Sequence, residues 1–142
     1  MKKDNFKSPD FYSIDTLFNE EQLLVRDAVR EWVKENVSPI IEDCALSGKF
    51  PDHLVKKLAE IGGFGGFLPI KYGGAEIDYT SYGLMMQELE RGDSAIRVLS
   101  SVQSLVMNTI FSLGSEDQKL SYLPKLASGD TIGSFGMSEP SH

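Results

Sequence analysis

From Asn19 to Gly129 the chain is punctuated as a succession of helices, and this restricts it to a mainly helical fold before composition is considered. Asn19, with Gln22 three residues on, is a capping-box pair. It opens a helix in which Leu24, Val25, Ala28, Val29, Trp32 and Val33 share one face, with Glu20, Glu21, Arg26, Arg30 and Lys34 on the other. Pro39 breaks or restarts that helix, and Ile40 to Leu46 forms a second piece ended near Gly48. Asp52 is predicted to cap a third helix carrying Leu54, Val55, Leu58 and Ile61, stopped by Gly62-Gly63. A fourth runs from about Thr80 to Arg91, with Leu84, Met85 and Leu89 inward. Asp93 or Ser94 opens a fifth through Val98, Leu99, Val102, Leu105, Val106, Ile110 and Phe111, apolar enough to expect burial on most sides. Ser115 with Gln118 is a second capping box, opening a helix with Tyr122, Leu123 and Leu126 that Gly129 ends.

The convincing strand is Thr131 to Met137, running into a turn at Pro140. A lone strand cannot satisfy its backbone ladder, so this one is expected to begin a β-domain lying beyond His142. The predicted class is therefore all-α, with about six helices and the start of a strand. An irregular lead-in is expected over residues 1–15, a helical domain over 16–130, and the first strand and turn of a further domain over 131–142.

Composition excludes several function classes. Lys+Arg is 14 against Asp+Glu 21, a net charge of -7, which argues against a general nucleic-acid surface. Cys44 is the one cysteine, so neither an internal disulfide nor a cysteine-based zinc site is expected. His53 and His142 lie far apart without ligand spacing, and no metal site is predicted. Met1-Lys2-Lys3-Asp4 has no apolar run behind it, and no stretch reads as a spanning helix of about 20 apolar residues. The default expectation is a cytoplasmic protein without a membrane partner.

No nucleophile triad or phosphate-cradling fingerprint is present. Gly62 to Gly66 follows a helix rather than a strand and lacks the Gly-Lys-Ser/Thr ending, so it reads as a tight helix exit. Arg97, near the start of the apolar helix, is expected to snorkel, pair with a carboxylate or meet a ligand anion; Glu90 and Asp93 are at hand, and composition favours a structural ion pair. Ser100, Ser101, Gln103 and Ser104 form a polar cluster that is either a helix-contact face or the wall of a polar pocket. Phe135, Met137 and Ser138 alternate toward Pro140, either as a half-buried strand or as a surface for a flat ring with Ser138 at its edge.

These residues carry a resemblance. Asn19-Glu20-Glu21-Gln22 with Arg26 to Arg30, Gly62 to Gly66 with Pro69 and Tyr72-Gly73-Gly74, Gly114 to Gln118 with Tyr122 to Leu126 and Gly129, and Phe135 to Pro140 follow one another in the order and spacing of the N-terminal part of acyl-CoA dehydrogenases. Within that family the chain most resembles the glutaryl-CoA dehydrogenase subgroup, on Glu88 to Arg91, Asp93-Ser94, Arg97 and Ser101 to Met107. It departs from the subgroup in having Ile96-Arg97-Val98 where Tyr-Arg-Ser is usual, which removes a hydroxyl.

The resemblance implies an FAD-dependent oxidation: a proton leaves the carbon α to a thioester and a hydride leaves the β carbon for the flavin. In the glutaryl subgroup loss of carbon dioxide follows. By the same resemblance Arg97 holds the free carboxylate of the acyl chain and Glu90 lines that pocket. Phe135, Met137 and Ser138 lie near the flavin, with Ser138 also near the thioester. The resemblance further implies an acyl-CoA substrate, electron-transfer flavoprotein as electron acceptor, and tetramers. The family's catalytic glutamate matches no residue here, so the chain by itself is expected to be an inactive portion of such an enzyme. The alternative is a free-standing helical interaction or complementing subunit without catalysis of its own. In either case the apolar helix around Val102 to Phe111 is expected to leave an exposed patch and to favour self-association.

Overall fold

The computed structural model describes residues 11–141; most of the expected lead-in, residues 1–10, and His142 lie outside them. Six α-helices follow a short 3-10 turn at Ile14–Leu17: α1 Glu20–Asn36, α2 Ile41–Ser47, α3 Leu54–Glu60, α4 Tyr79–Gly92, α5 Ser94–Leu113 and α6 Glu116–Ala127. The described residues fall into two compact units. The first joins residues 11–52 to Asp78–Arg97, and the second joins His53–Ile77 to residues 98–141.

In the first unit α1 begins as its local sequence demands. The Asn19 side chain accepts from the Gln22 amide at 2.9 Å while Gln22 Oε1 accepts from the Asn19 amide at 3.1 Å. Gln22 Nε2 also donates to Asp78 Oδ1, and Asp78 caps α4 by accepting from the amides of Thr80 and Ser81. The Ser81 hydroxyl, which donates to Asp78 Oδ2 at 2.6 Å, leads these bonds in holding the Asp78 carboxyl down at about 2. The facing sides of α1 and α4 bury Val29, Val33, Leu84, Met85 and Leu89. Gly92 stands close against Val33 and Val37, where a side chain would collide. Helix α2 ends at Gly48, whose φ of 66 is the left-handed conformation that glycine adopts without penalty.

Glu88, only 1% exposed, is the anchor of the first unit. Arg30 grips it with two parallel bonds, Nη2 to Oε1 at 2.7 Å and Nε to Oε2 at 3.1 Å. Arg91 Nη1 donates to Oε2 at 2.7 Å. A buried carboxylate of this kind is tolerated only when cations and donors surround it.

In the second unit α3 runs into the glycine-rich exit. Gly62 and Gly63 donate back to Ala59 and Leu58, closing the helix. The start of α3 corrects one expectation. His53, not Asp52, stands at its N-cap, and no side-chain cap bond is made there. His53 already has helical angles, whereas side-chain capping needs extended backbone. Helix α6 opens with the second capping box, Ser115 with Gln118, as expected. Tyr72, buried beneath Phe111, donates its hydroxyl to both oxygens of Glu116 at 2.9 Å.

Two further expectations are corrected. Residues 132–139 form no regular element, so the strand over Thr131 to Met137 is not formed among the described residues. A strand exists through its hydrogen-bond ladder, and the described residues offer no second one. Helix α5 is also not buried on most sides. Over its 20 residues it is long and apolar enough to span a membrane by length and composition, contrary to the reading that no stretch qualifies. Its buried positions nevertheless include Ser100, Gln103 and Ser104, each bonded to neighbouring backbone, which is the pattern of a helix seated within a domain.

Candidate functional site

Helix α5 opens on Asp93, whose carboxylate accepts from the Ala95 amide at 2.8 Å and the Ile96 amide at 3.3 Å. This places Arg97 at the end of the first turn, within reach of the last turn of α4. There Arg97 Nε donates to Glu90 Oε2 at 2.7 Å, and the Ser94 hydroxyl donates to Glu90 Oε1 at 2.7 Å. The Arg97 hydrogen bond first, and the Ser94 hydroxyl second, hold the Glu90 carboxyl below its usual range. The Arg97 and Glu90 side chains are 35% and 45% exposed. The structure therefore makes the ion pair that composition favours, at a place open enough for an anion to approach. A guanidinium offers five donors in a planar fork suited to a carboxylate.

The first unit also has an apolar cleft of about 170 Å³ lined by Cys44, Phe50, Pro51 and Asp93 among others. Neither Arg97 nor Glu90 lines it.

The second unit carries the other expected residues. Phe135 is 43% exposed and Met137 78% exposed, and Ser138 is exposed as well. An open aromatic face, a polarizable thioether and an exposed hydroxyl on backbone without a ladder among the described residues are groups that fit a flat, edge-polar ring such as a flavin.

The polar cluster on α5 proves to be a contact face rather than a pocket wall. The Ser100 hydroxyl donates to the Gly63 carbonyl, and Ser104 Oγ accepts from the Gly65 amide at 2.9 Å. Gln103 Nε2 donates to the carbonyls of Leu126 and Thr131 at 2.8 Å each, and its Oε1 accepts from the Gly133 amide at 2.8 Å. Ser101 instead bonds back to the Val98 carbonyl one turn earlier. The glycine exit is thus stitched to α5, consistent with its reading as a tight helix exit. Gly65 has φ +61, and a side chain there would strike Met107.

The buried Glu88 and the Gln103 bonds were not among the expected functional residues. Glu88 has a sequence signal, an acid three residues before Arg91 on an otherwise inward face. Gln103 has the signal of the polar cluster it belongs to, but not of its partners, which lie 23, 28 and 30 residues away.

Comparison with known proteins gives a consistent result. A family model described as acyl-CoA dehydrogenase, N-terminal domain, matches residues 19–130. An acyl-CoA dehydrogenase of Bacillus subtilis is 38% identical over 122 residues, covering 85% of this chain and 32% of that protein. The crystal structure of a glutaryl-CoA dehydrogenase from Mycobacterium smegmatis in complex with FADH2 superposes with a TM-score of 0.88 at 38% identity, covering 92% of this chain and 34% of that one. A chain in the structure of the electron transferring flavoprotein of Acidaminococcus fermentans superposes with a TM-score of 0.82 at 30% identity, covering 87% and 33%. The chain thus spans about a third of the length of the relatives it matches.

Proposed function

Because this chain belongs to the acyl-CoA dehydrogenase family and corresponds to its N-terminal domain, we propose that it forms the helical wall of a flavin-dependent enzyme that oxidises an acyl-CoA thioester between its α and β carbons. The proposed substrate is glutaryl-CoA, with decarboxylation following. The observation that carries this choice is the Arg97–Glu90 pair at the junction of α4 and α5. Arg97 receives the distal carboxylate of the acyl chain, and Glu90 with Ser94 keeps the guanidinium oriented. Ile96 and Val98 flank Arg97 without hydroxyls, so recognition of the carboxylate rests on the guanidinium itself.

Phe135, Met137 and Ser138 are proposed to line the FAD ring, with Ser138 hydrogen-bonding at the thioester side. FAD, when bound, supplies the acceptor for the hydride that leaves the β carbon. The chain contributes orientation and binding rather than the base, and its own turnover is proposed to be nil. Its exposed α5 positions, among them Val98, Leu105 and Leu113, support self-association, with a tetramer and electron-transfer flavoprotein as partners of the full-length enzyme.

Titration of the purified chain with FAD, followed by flavin fluorescence, tests the cofactor part. Saturable binding that weakens in Phe135→Ala is expected, and no binding would sink it. Calorimetry with glutaryl-CoA and butyryl-CoA tests the substrate part. A preference for the dicarboxylate thioester that disappears in Arg97→Ala is expected, whereas equal affinity for the two in the unaltered chain rules out the glutaryl assignment.

A further inference from the structure

We propose that Gln103 is a positioning residue: it fixes the point at which the segment after Thr131 leaves α5, and so the placement of Phe135, Met137 and Ser138. The functional part of this inference rests on the flavin reading above; the structural part does not.

The argument begins with cost. Gln103 is 1% exposed on a helix whose other inward residues in this unit are Ser100, Ser104 and Met107. A buried primary amide requires partners for two donors and one acceptor, and leaving any of them unmet is unfavourable. All three are met, and none by another side chain. Nε2 divides its donors between Leu126, in the last turn of α6, and Thr131, where the terminal segment begins. Oε1 takes the amide of Gly133. The amide group therefore bridges the carbonyl of Thr131 and the N–H of Gly133, much as a neighbouring strand would. It does so at the root of a segment that has no strand beside it among the described residues.

A second contact acts in the same sense. Gly133 lies so close to Val106 that any side chain there would overlap it. Gly133 is thus fixed from two sides: its amide by Gln103 and its α-carbon by Val106, one turn further along α5. Beyond it Phe135 and Met137 are open, and a side chain placed at Gly136 would meet open space. The segment is anchored at Thr131 to Gly133 and open from Ser134 onward. Whatever Phe135 and Met137 contact, their reach is measured from the anchor that Gln103 sets.

The test compares amide hydrogen exchange at Gly133 and Gly136 in the unaltered chain, then in Gln103→Met, which keeps the length and removes every bond. Gly133 is expected to exchange about tenfold more slowly than Gly136, the scale one hydrogen bond sets, with that margin lost in Gln103→Met. Equal rates at Gly133 and Gly136 in the unaltered chain overturn the anchor, whether or not the variant folds. Flavin titration of the same proteins tests the functional part. Weakened FAD binding in Gln103→Met, with α-helical content unchanged, supports it. Unchanged binding alongside lost Gly133 protection overturns the functional part alone. Failure of the unaltered chain to bind flavin, with Gly133 protected, removes the flavin reading and leaves the anchor standing.

Discussion

The two compact units hold their interiors by different chemistry. The first is fastened on a buried charge, Glu88, gripped by Arg30 and Arg91. The second is fastened by neutral side chains, Ser100, Gln103 and Ser104, reaching main-chain groups of the glycine exit and the terminal segment. A charge–charge anchor ties side chain to side chain, so it tolerates variation in the backbone around it. Bonds from side chain to backbone fix the path of a loop that has no regular structure of its own. The second arrangement is the one suited to placing a segment such as Phe135 to Ser138, and the first to locking two helices together.

The largest effect should come from breaking the charged anchor. Glu88→Ala leaves two guanidinium groups without their common partner and is expected to cost about 3 kcal/mol in a urea melt. Loss of less than about 1 kcal/mol would make the ion cluster a bystander to helix contact. In the second unit, Gly65→Ala combines a left-handed backbone with a clash against buried Met107, and about 2 kcal/mol is expected by the same measurement. Ser104→Ala removes only the acceptor of the Gly65 amide, and about 1 kcal/mol is expected. The order of those two sharpens the comparison. If Ser104→Ala cost more than Gly65→Ala, the bond rather than the backbone path would govern the exit.

Acid should act on the rims of both units. Asp78 titrates at about 2 when folded against 3.8 for the ordinary side chain. A lowered carboxyl contributes stability that is fully present above the ordinary value and disappears as the pH falls through the folded one. Asp78→Asn should therefore flatten the loss of stability between pH 4 and pH 2, read from thermal melts across that range. Glu116 and Asp130 in the second unit are also lowered, the first mainly by the Tyr72 hydroxyl and the second mainly by Lys56. Glu116→Gln should produce a smaller change of the same sign, and an acid profile unchanged by both substitutions would contradict this account.

The order of helices, their capping boxes and their glycine stops were legible in the residues alone. Asn19 with Gln22, Ser115 with Gln118, and Gly48 act over one turn, so neighbouring sequence contains everything they require. The inward positions of α4, Leu84, Met85 and Leu89, were legible for a similar reason, since that helix has one clearly apolar face. Asp52 was misjudged because residue type marks a cap whereas backbone angles make one. The Arg97–Glu90 pair was legible as one of three alternatives, because a charge near an apolar run reaches for water, a carboxylate or a ligand anion.

Helix α5 separates the two kinds of information. Its sequence fixed that it is a helix, and how apolar it is. Which side faces inward followed only from the tertiary structure, and the answer inverts the simple expectation: Ser100, Gln103 and Ser104 are buried while Val98 and Leu105 are exposed. The physical reason is the backbone of its neighbours. The glycine exit and the segment after Thr131 present amides and carbonyls that no regular element satisfies, and these groups draw the polar stripe inward. The same dependence on distant groups decided the fate of Thr131 to Met137. Its residues favour a strand, but a strand is made by its partner, and here its first residues bond instead to Gln103 and, through the Thr131 amide, to the Lys125 carbonyl.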